Sequence, residues 1–86
     1  MTELMYKINQ HEEQIWRSPD GKLHRVDGPA YARKDGHQEW YENGKLHRSD
    51  GPAVTYPDGQ QEWYIHGNLH RLDGPAYIGA DGHREW

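Results

Sequence analysis

The stretch Leu-His-Arg-Val-Asp-Gly-Pro-Ala, residues 23–30, recurs at residues 46–53 and 69–76, a spacing of 23 residues, with only its fourth position variable. A second constant block, Asp-Gly-x-x-Glu-Trp, follows each copy and ends at Trp40, Trp63 and Trp86. A fixed period of this length indicates one supersecondary unit that is stacked several times. We therefore divide the single domain, 1–86, into a degenerate capping unit and three repeats, the last one shortened: 1–21, 22–44, 45–67 and 68–86.

The composition excludes several classes of protein. The chain has 86 residues, a net charge of −4 and no cysteine, so disulfides and thiolate metal sites are ruled out. Four Trp and six Tyr, without any Phe, replace the aliphatic residues of an ordinary core. Residues 1–14 contain no apolar run of membrane-spanning or signal-peptide length. We expect a soluble, cytoplasmic protein.

Turn signals dominate the local pattern and favour an all-β fold. Asp-Gly and Asn-Gly between aromatic-rich segments are typical of two-residue type I′ hairpins, in which both central residues have positive φ. The candidates are Asp35-Gly36, Asn43-Gly44, Asp58-Gly59 and Asp81-Gly82, with His66-Gly67 as a weaker variant. We predict a curved antiparallel sheet of about four stacked 23-residue β-hairpins. In the capping unit, Leu4, Tyr6 and Ile8 alternate as in a half-buried strand.

Two-residue turns fix a strand register. Counting outward from Asp35-Gly36 and from Asn43-Gly44 sets Trp40 opposite both Tyr31 and His47, and Tyr41 opposite Leu46. The same count pairs Val54 with Trp63, Trp63 with His70 and Tyr77 with Trp86, and predicts the ion pairs Glu39–Arg48 and Glu62–Arg71. Both faces of such a sheet carry apolar groups. Either one aromatic face is left open for a partner, or the sheet curls and buries both.

The Asp-Gly-Pro-Ala element predicts a turn before each strand. Asp accepts backbone hydrogen bonds, Gly tolerates positive φ, and Pro fixes φ where a strand begins. The adjacent histidines, His24, His47 and His70, are predicted to stack on a neighbouring Trp and to bond a turn carboxylate such as Asp50.

The order Asp-Gly-x-x-Glu-Trp-Tyr-x-Asn-Gly-Lys-Leu-His-Arg-x-Asp-Gly-Pro-Ala resembles the MORN repeat, in particular its divergent MORN-like variants. The octapeptide form looks like repeats in bacteriophage and giant-virus reading frames, and the resemblance covers roughly residues 20–86. It implies a curved antiparallel sheet of hairpins that is used for protein contacts, without a shared catalytic activity.

Catalytic, metal and nucleic-acid functions fit the pattern poorly. Equivalent histidines lie at least two strand spacings, roughly 9.5 Å, apart, which is too far for one zinc ion, so we expect no metal or other cofactor. His-x-x-Asp recurs in register, whereas an enzyme needs one asymmetric site, so no catalytic residue is expected. Each repeated Arg has an Asp two residues on, which opposes nucleic-acid and membrane binding, although a row of Arg beside Trp could stack on single-stranded bases.

Protein binding is the function that the composition favours, since Trp, Tyr and Arg dominate interface energetics. Our sharper hypothesis, from size and resemblance, is a small phage-encoded inhibitor of a host defence protein, such as a CRISPR effector or an antiviral nuclease, acting in the host cytoplasm. The alternative is a self-associating assembly module of a virus or bacterium, or a homodimer through an open edge strand. The candidate partner-binding residues are Tyr31, Arg33, Trp40, His47, Arg48, Tyr56, Trp63, His70, Arg71 and Tyr77. Non-repeated positions such as Glu42 and Ile65 are candidates for tuning specificity.

Overall fold

Every regular element in residues 5–86, the part of the chain that the computed structural model describes, is a β-strand in an antiparallel ladder. The all-β prediction is therefore confirmed, and no helix in this range is long and apolar enough to span a membrane. Apart from the first two strands, each strand is only two residues long, because Gly and Pro recur every few residues. The strands are β1 Met5–Ile8, β2 Gln14–Arg17, β3 Tyr31–Ala32, β4 Gln38–Glu39, β5 Tyr41–Glu42, β6 Lys45–Leu46, β7 Val54–Thr55, β8 Gln61–Glu62, β9 Tyr64–Ile65, β10 Asn68–Leu69, β11 Tyr77–Ile78 and β12 Arg84–Glu85.

The strands divide between one long sheet and two short hairpins. The long sheet has the order β1-β2-β3-β4-β7-β8-β11-β12, while β5–β6 and β9–β10 form separate two-stranded ladders. The chain passes from one to the other at a tryptophan. The Trp40 N–H donates to the Ala53 carbonyl in the long sheet (2.7 Å), and the Trp40 carbonyl accepts from the His47 N–H in the short hairpin (2.9 Å). Trp63 makes the same two bonds to Ala76 and His70.

Each short hairpin is also bonded to the Leu-His-Arg segment of the repeat in which its first strand lies. The Arg25 N–H donates to the Tyr41 carbonyl (3.0 Å), and the Gly44 N–H donates to the Leu23 carbonyl (2.9 Å). Arg48 and Gly67 repeat these bonds to Tyr64 and Leu46. The short hairpins therefore form a second row beside the long sheet, instead of continuing it.

The predicted register around the Asp-Gly turns is wrong by one residue. Tyr31 pairs with Glu39, Val54 with Glu62 and Tyr77 with Glu85, not with the following Trp in each case. At the first of these turns φ is positive at Gly36 but not at Asp35, so the loop has three residues. The reason is the aspartate side chain. Asp35 Oδ1 accepts from the His37 N–H at 3.0 Å, which favours a type I turn followed by a left-handed glycine.

The Asn43-Gly44 prediction is confirmed. Asn43 and Gly44 have φ of 52° and 82°, and Tyr41 lies opposite Leu46 as predicted. The weaker candidate, His66-Gly67, has the same geometry, with φ of 49° and 86°. In both turns the first central N–H is held by a histidine ring from the start of the same repeat: Asn43 N donates to His24 Nδ1 and His66 N donates to His47 Nδ1.

The buried apolar core is small. It consists of Ala30, Ala53 and Ala76, the last residue of each octapeptide, and Val54, all at most 4% exposed. In the capping unit β1 pairs with β2 along its whole length. Its Tyr6 and Ile8 are both more exposed than the half-buried pattern predicts, at 45% and 57%, and Leu4 lies outside the described residues.

Tyrosine–glutamate hydrogen bonds link the residues on either side of Trp40 and of Trp63. The Tyr41 hydroxyl donates to Glu39 Oε1 (2.7 Å) and the Tyr64 hydroxyl to Glu62 Oε1 (2.9 Å), so each bond joins the long sheet to a short hairpin. Tyr56 donates to Glu62 Oε2 (3.2 Å). Burial, then these hydrogen bonds, raise the pKa of Tyr41 and Tyr64, and burial with the charge of Glu62 raises the pKa of Tyr56 to about 12.

The raised pKa values of these tyrosines predict that the fold is destabilised at alkaline pH. A pKa raised by folding means that the folded chain holds the proton more tightly than the unfolded chain, so the stabilisation is complete below about pH 10. It is lost as the pH rises through the folded pKa, for Tyr56 about 12. We expect the free energy of unfolding, measured by urea titration, to fall between about pH 10 and 12, and Tyr56→Phe to make that fall shallower. Identical slopes in the two proteins would contradict the assignment.

Candidate binding surface

The three tryptophans that are followed by an octapeptide each carry an arginine on the ring. Cζ of Arg25, Arg48 and Arg71 lies 4.3, 3.8 and 4.0 Å from the ring centroid of Trp16, Trp40 and Trp63, respectively. A guanidinium at such a distance is attracted by the negative face of the indole. The repeated Trp and Arg are thus one structural pair, repeated in register.

The glycine of each octapeptide lies against the other side of the guanidinium. A Cβ placed on Gly51 would sit 2.8 Å from Arg48 Cζ and 3.1 Å from both Nε and Nη1, and Gly28 and Gly74 make the same approach to Arg25 and Arg71. None of these three glycines has positive φ, contrary to our expectation for the turn. Glycine is needed here because a side chain at this position would collide with the guanidinium.

Hydrogen bonds in the guanidinium plane complete each unit. Arg48 Nε donates to Asp50 Oδ1 (3.0 Å) and Nη1 donates to the Pro52 carbonyl (3.2 Å), and Arg25 and Arg71 repeat both bonds. The predicted ion pairs Glu39–Arg48 and Glu62–Arg71 are therefore wrong. The arginines bond within their own loop, while the two glutamates bond tyrosines. Trp, Arg, Asp, Gly and Pro together hold the loop in one shape.

Two of the repeated histidines, His24 and His47, bond the turns of the short hairpins. His47 accepts from the His66 N–H through Nδ1 (3.0 Å), and its ring stacks on that of His66 at 4.5 Å. The predicted stacking on Trp and bonding to Asp50 is not present in the described structure for His47. In residues 5–86 there is also no group of three His, Asp or Glu side chains placed to share a metal ion.

The three loops 25–28, 48–51 and 71–74 lead from the second row back to the long sheet, and we call them the return loops. Two grooves lie between them. The polar groove, about 220 Å³, lies between the first and second loops and is lined by Trp40, Glu42 and His47. The apolar groove, about 820 Å³, lies between the second and third and is lined by Trp63, Ile65 and His70.

The two grooves are the same place in successive repeats. All nine residues that line the polar groove have their counterparts, 23 positions later, in the lining of the apolar groove. Their chemistry differs only where the repeats differ: Glu42 becomes Ile65, Val26 becomes Ser49 and Ser49 becomes Leu72. In the polar groove, Glu42 Oε2 lies 3.5 Å from His47 Nε2, a contact that Ile65 cannot make with His70.

The exposed charge on this surface is acidic. Asp27, Asp50 and Asp73 expose 86, 80 and 88% of their side chains, whereas the arginines that they bond expose 25% each. Because the Trp ring and the Gly backbone cover the guanidinium planes, the arginines do not offer a row of free faces on which nucleic-acid bases could stack. Two exposed apolar side chains lie on the same loops: Val26 is 76% exposed and Leu72 is 91% exposed.

The ten candidate residues from the sequence separate into two groups. Six of them line the two grooves: Trp40, His47, Arg48, Trp63, His70 and Arg71. The other four lie on the long sheet or at its hairpin ends, where they bond neighbouring side chains: Tyr31 to Glu13, Arg33 to Asp35, Tyr56 to Glu62 and Tyr77 to Gln60. The hydrogen bond to Glu13, followed by burial, raises the pKa of Tyr31 to about 12.

Sequence reasoning missed three exposed side chains of this surface, Val26, Ser49 and Leu72. They occupy the single variable position inside an otherwise constant octapeptide. The variability of this position could have identified these side chains from the sequence. When contacts hold every other residue of a loop, the remaining side chain faces the solvent. Comparisons with protein-family models, curated proteins and solved structures found no match for this chain. The MORN resemblance thus stays a prediction from the repeated motif.

Proposed function

We propose that the chain is a non-catalytic protein-binding module whose partner contacts the return loops and the two grooves between them. The observation behind this proposal is that constant and variable side chains have different roles on that surface. Constant side chains make the internal contacts of each loop, as in the Arg48 unit, while the 91% exposed Leu72 lies at the one position of the octapeptide that varies. Rigid loops with variable exposed residues are a usual basis for recognition.

The proposed architecture behind this surface is four stacked units, 1–21, 22–44, 45–67 and 68–86. Stacking places one return loop per repeat at a regular interval, so the surface is modular. The size of the chain and the resemblance of its octapeptide to phage repeats support the narrower proposal of a phage-encoded inhibitor. Its partner would then be a host defence protein, such as a CRISPR effector or an antiviral nuclease.

Site-specific photocrosslinking tests the proposed surface. A photoreactive residue at Ser49, which lines both grooves, is compared with one at Asp58, in the turn between β7 and β8. We expect a discrete crosslinked partner in a bacterial lysate from position 49 and none from position 58. Leu72→Asp in the position-49 protein should abolish that product while leaving the unfolding midpoint within the error of the unmodified protein.

The same experiment separates the alternative. Crosslinks between two copies of the chain, growing with its concentration, would favour the self-associating module over the inhibitor. Equal yields from positions 49 and 58, or a product that survives Leu72→Asp, would contradict the assignment of partner binding to the return loops.

A further inference from the structure

The difference between the two grooves points to the chemistry of the partner. We propose that they bind an extended segment of another protein that carries a Lys or Arg and, three residues away, a large apolar residue. The basic side chain occupies the polar groove and the apolar side chain occupies the apolar groove. This inference rests on the proposed function and specifies the ligand of the same surface.

Charge complementarity selects the basic residue. The polar groove is lined by Glu42, Asp27 and Asp50, and both aspartates are at least 80% exposed. The cations of this groove, Arg25 and Arg48, are held between Trp and Gly and each bond an aspartate through Nε. Each of those bonds uses Oδ1 of the aspartate. A partner that adds an ammonium or guanidinium group therefore meets, at the solvent surface, the aspartate Oδ2 atoms that these two arginines leave unbonded.

Shape and polarity select the apolar residue. The apolar groove is almost four times the volume of the polar groove, 820 against 220 Å³, and it contains Trp63, Ile65 and the 91% exposed Leu72. Covering such side chains removes apolar surface from water, which favours binding of an apolar side chain. The charges at its rim balance, because Asp50 and Asp73 each pair with an arginine of the lining, so the groove favours an uncharged side chain.

The repeat spacing fixes the separation of the two partner residues. Successive return loops are separated by two strands of the long sheet, as β3 is from β7, which corresponds to roughly 9.6 Å. An extended segment in the polyproline II conformation advances about 3.1 Å per residue with three residues per turn, so a residue and the third residue beyond it lie on the same side, about 9.3 Å apart. A residue and the third residue beyond it can thus enter neighbouring grooves without bending the segment.

The inference is tested by exchanging Glu42 and Ile65, the residues that distinguish the two grooves. Glu42→Ile and Ile65→Glu each install a residue that the other repeat already holds at the equivalent position of a short hairpin. Both variants should therefore retain the fold, and urea unfolding followed by circular dichroism provides the control. The probe is a displayed library of Gly/Ser peptides with two fully randomised positions separated by one, two or three residues.

We expect the unaltered chain to enrich peptides that pair a basic with an apolar residue in one order, with two residues between them. Glu42→Ile should enrich two apolar residues, Ile65→Glu two basic residues, and the double exchange the basic–apolar pair in the opposite order. Enrichment that ignores the exchanges, or prefers another separation, would overturn this inference. If position 49 still crosslinks a partner, the proposed function survives that result. A library without enrichment, together with no crosslink, would overturn both.

Discussion

Replacing Trp40 by alanine is expected to lower the free energy of unfolding by about 3 kcal/mol, within the usual range for a large aromatic core residue. Trp40 is the residue at which the chain leaves the long sheet, and its ring carries the Arg48 guanidinium at 3.8 Å. The alanine would retain the two backbone bonds but lose the ring contacts and the surface under Arg48. Because small domains have only about 5–15 kcal/mol of stability, this loss is a large fraction of the total and should move the urea midpoint to a clearly lower concentration.

Trp86 supplies the matched control. It ends the same Asp-Gly-x-x-Glu-Trp block, but its ring is 85% exposed. Trp86→Ala should therefore change the unfolding free energy by at most about 0.5 kcal/mol, as surface substitutions usually do. Circular dichroism during urea unfolding measures both variants without depending on tryptophan fluorescence. Equal losses in the two variants would mean that the Trp–Arg pair is not the element that stabilises the repeat.

Gly51→Ala is the second large effect, with an expected loss of about 2 kcal/mol, because the displaced guanidinium loses its cation–π contact and its hydrogen bonds. The new Cβ would lie 2.8 Å from Arg48 Cζ and would push the guanidinium off Trp40 and away from Asp50. The backbone at Gly51 does not have positive φ, so conformational strain does not contribute. Ser49→Ala, in the same loop at an exposed position, should change stability by at most about 0.5 kcal/mol.

A double-mutant cycle identifies the cause of the Gly51→Ala loss. Arg48→Ala alone removes the guanidinium and should cost about 2 kcal/mol, from the cation–π contact and its hydrogen bonds. If the alanine methyl acts only by displacing that guanidinium, the double variant should cost about as much as Arg48→Ala alone, giving a coupling of about 2 kcal/mol. Additive losses would instead show that Gly51 is required for a reason unrelated to Arg48.

The sequence predicted the turns well where the backbone alone decides them. Asn43-Gly44 adopts positive φ at both positions because a two-residue hairpin leaves no other choice. The Asp-Gly turns were predicted with the same rule and came out one residue longer. There the aspartate carboxylate bonds the N–H two residues on, as Asp58 does to Gln60, and this side-chain bond outweighs the preference for a two-residue loop.

The division into a long sheet and a second row could not be predicted from alternation. The strand pattern at Trp40 and Trp63 fits a continuation of the long sheet as well as a departure from it. The chain leaves the sheet there because the N–H group and the carbonyl group of each Trp bond two different partners. Those partners, such as Ala53 and His47 for Trp40, come from later in the chain. A local sequence pattern does not reveal hydrogen bonds to residues that far along the chain.

The candidate site was predictable in part. The repeated Trp, His and Arg were singled out as interface residues, and they do line the grooves, but the arginine planes are covered by internal contacts. The side chains left for a partner, Leu72 and Asp73 among them, are exposed because the rest of the loop is held by the Arg71 unit. Recognising them required the geometry of the return loops.

Nuclear magnetic resonance of the arginine side chains tests the central claim most directly, because one spectrum contains both the test residues and their controls. A proton above an indole ring is shifted upfield by the ring current. We predict upfield side-chain resonances for Arg25, Arg48 and Arg71, with nuclear Overhauser contacts to Trp16, Trp40 and Trp63, and ordinary shifts for Arg17, Arg33 and Arg84. Ordinary shifts for all six arginines would contradict the Trp–Arg–Gly unit and the return-loop surface built on it.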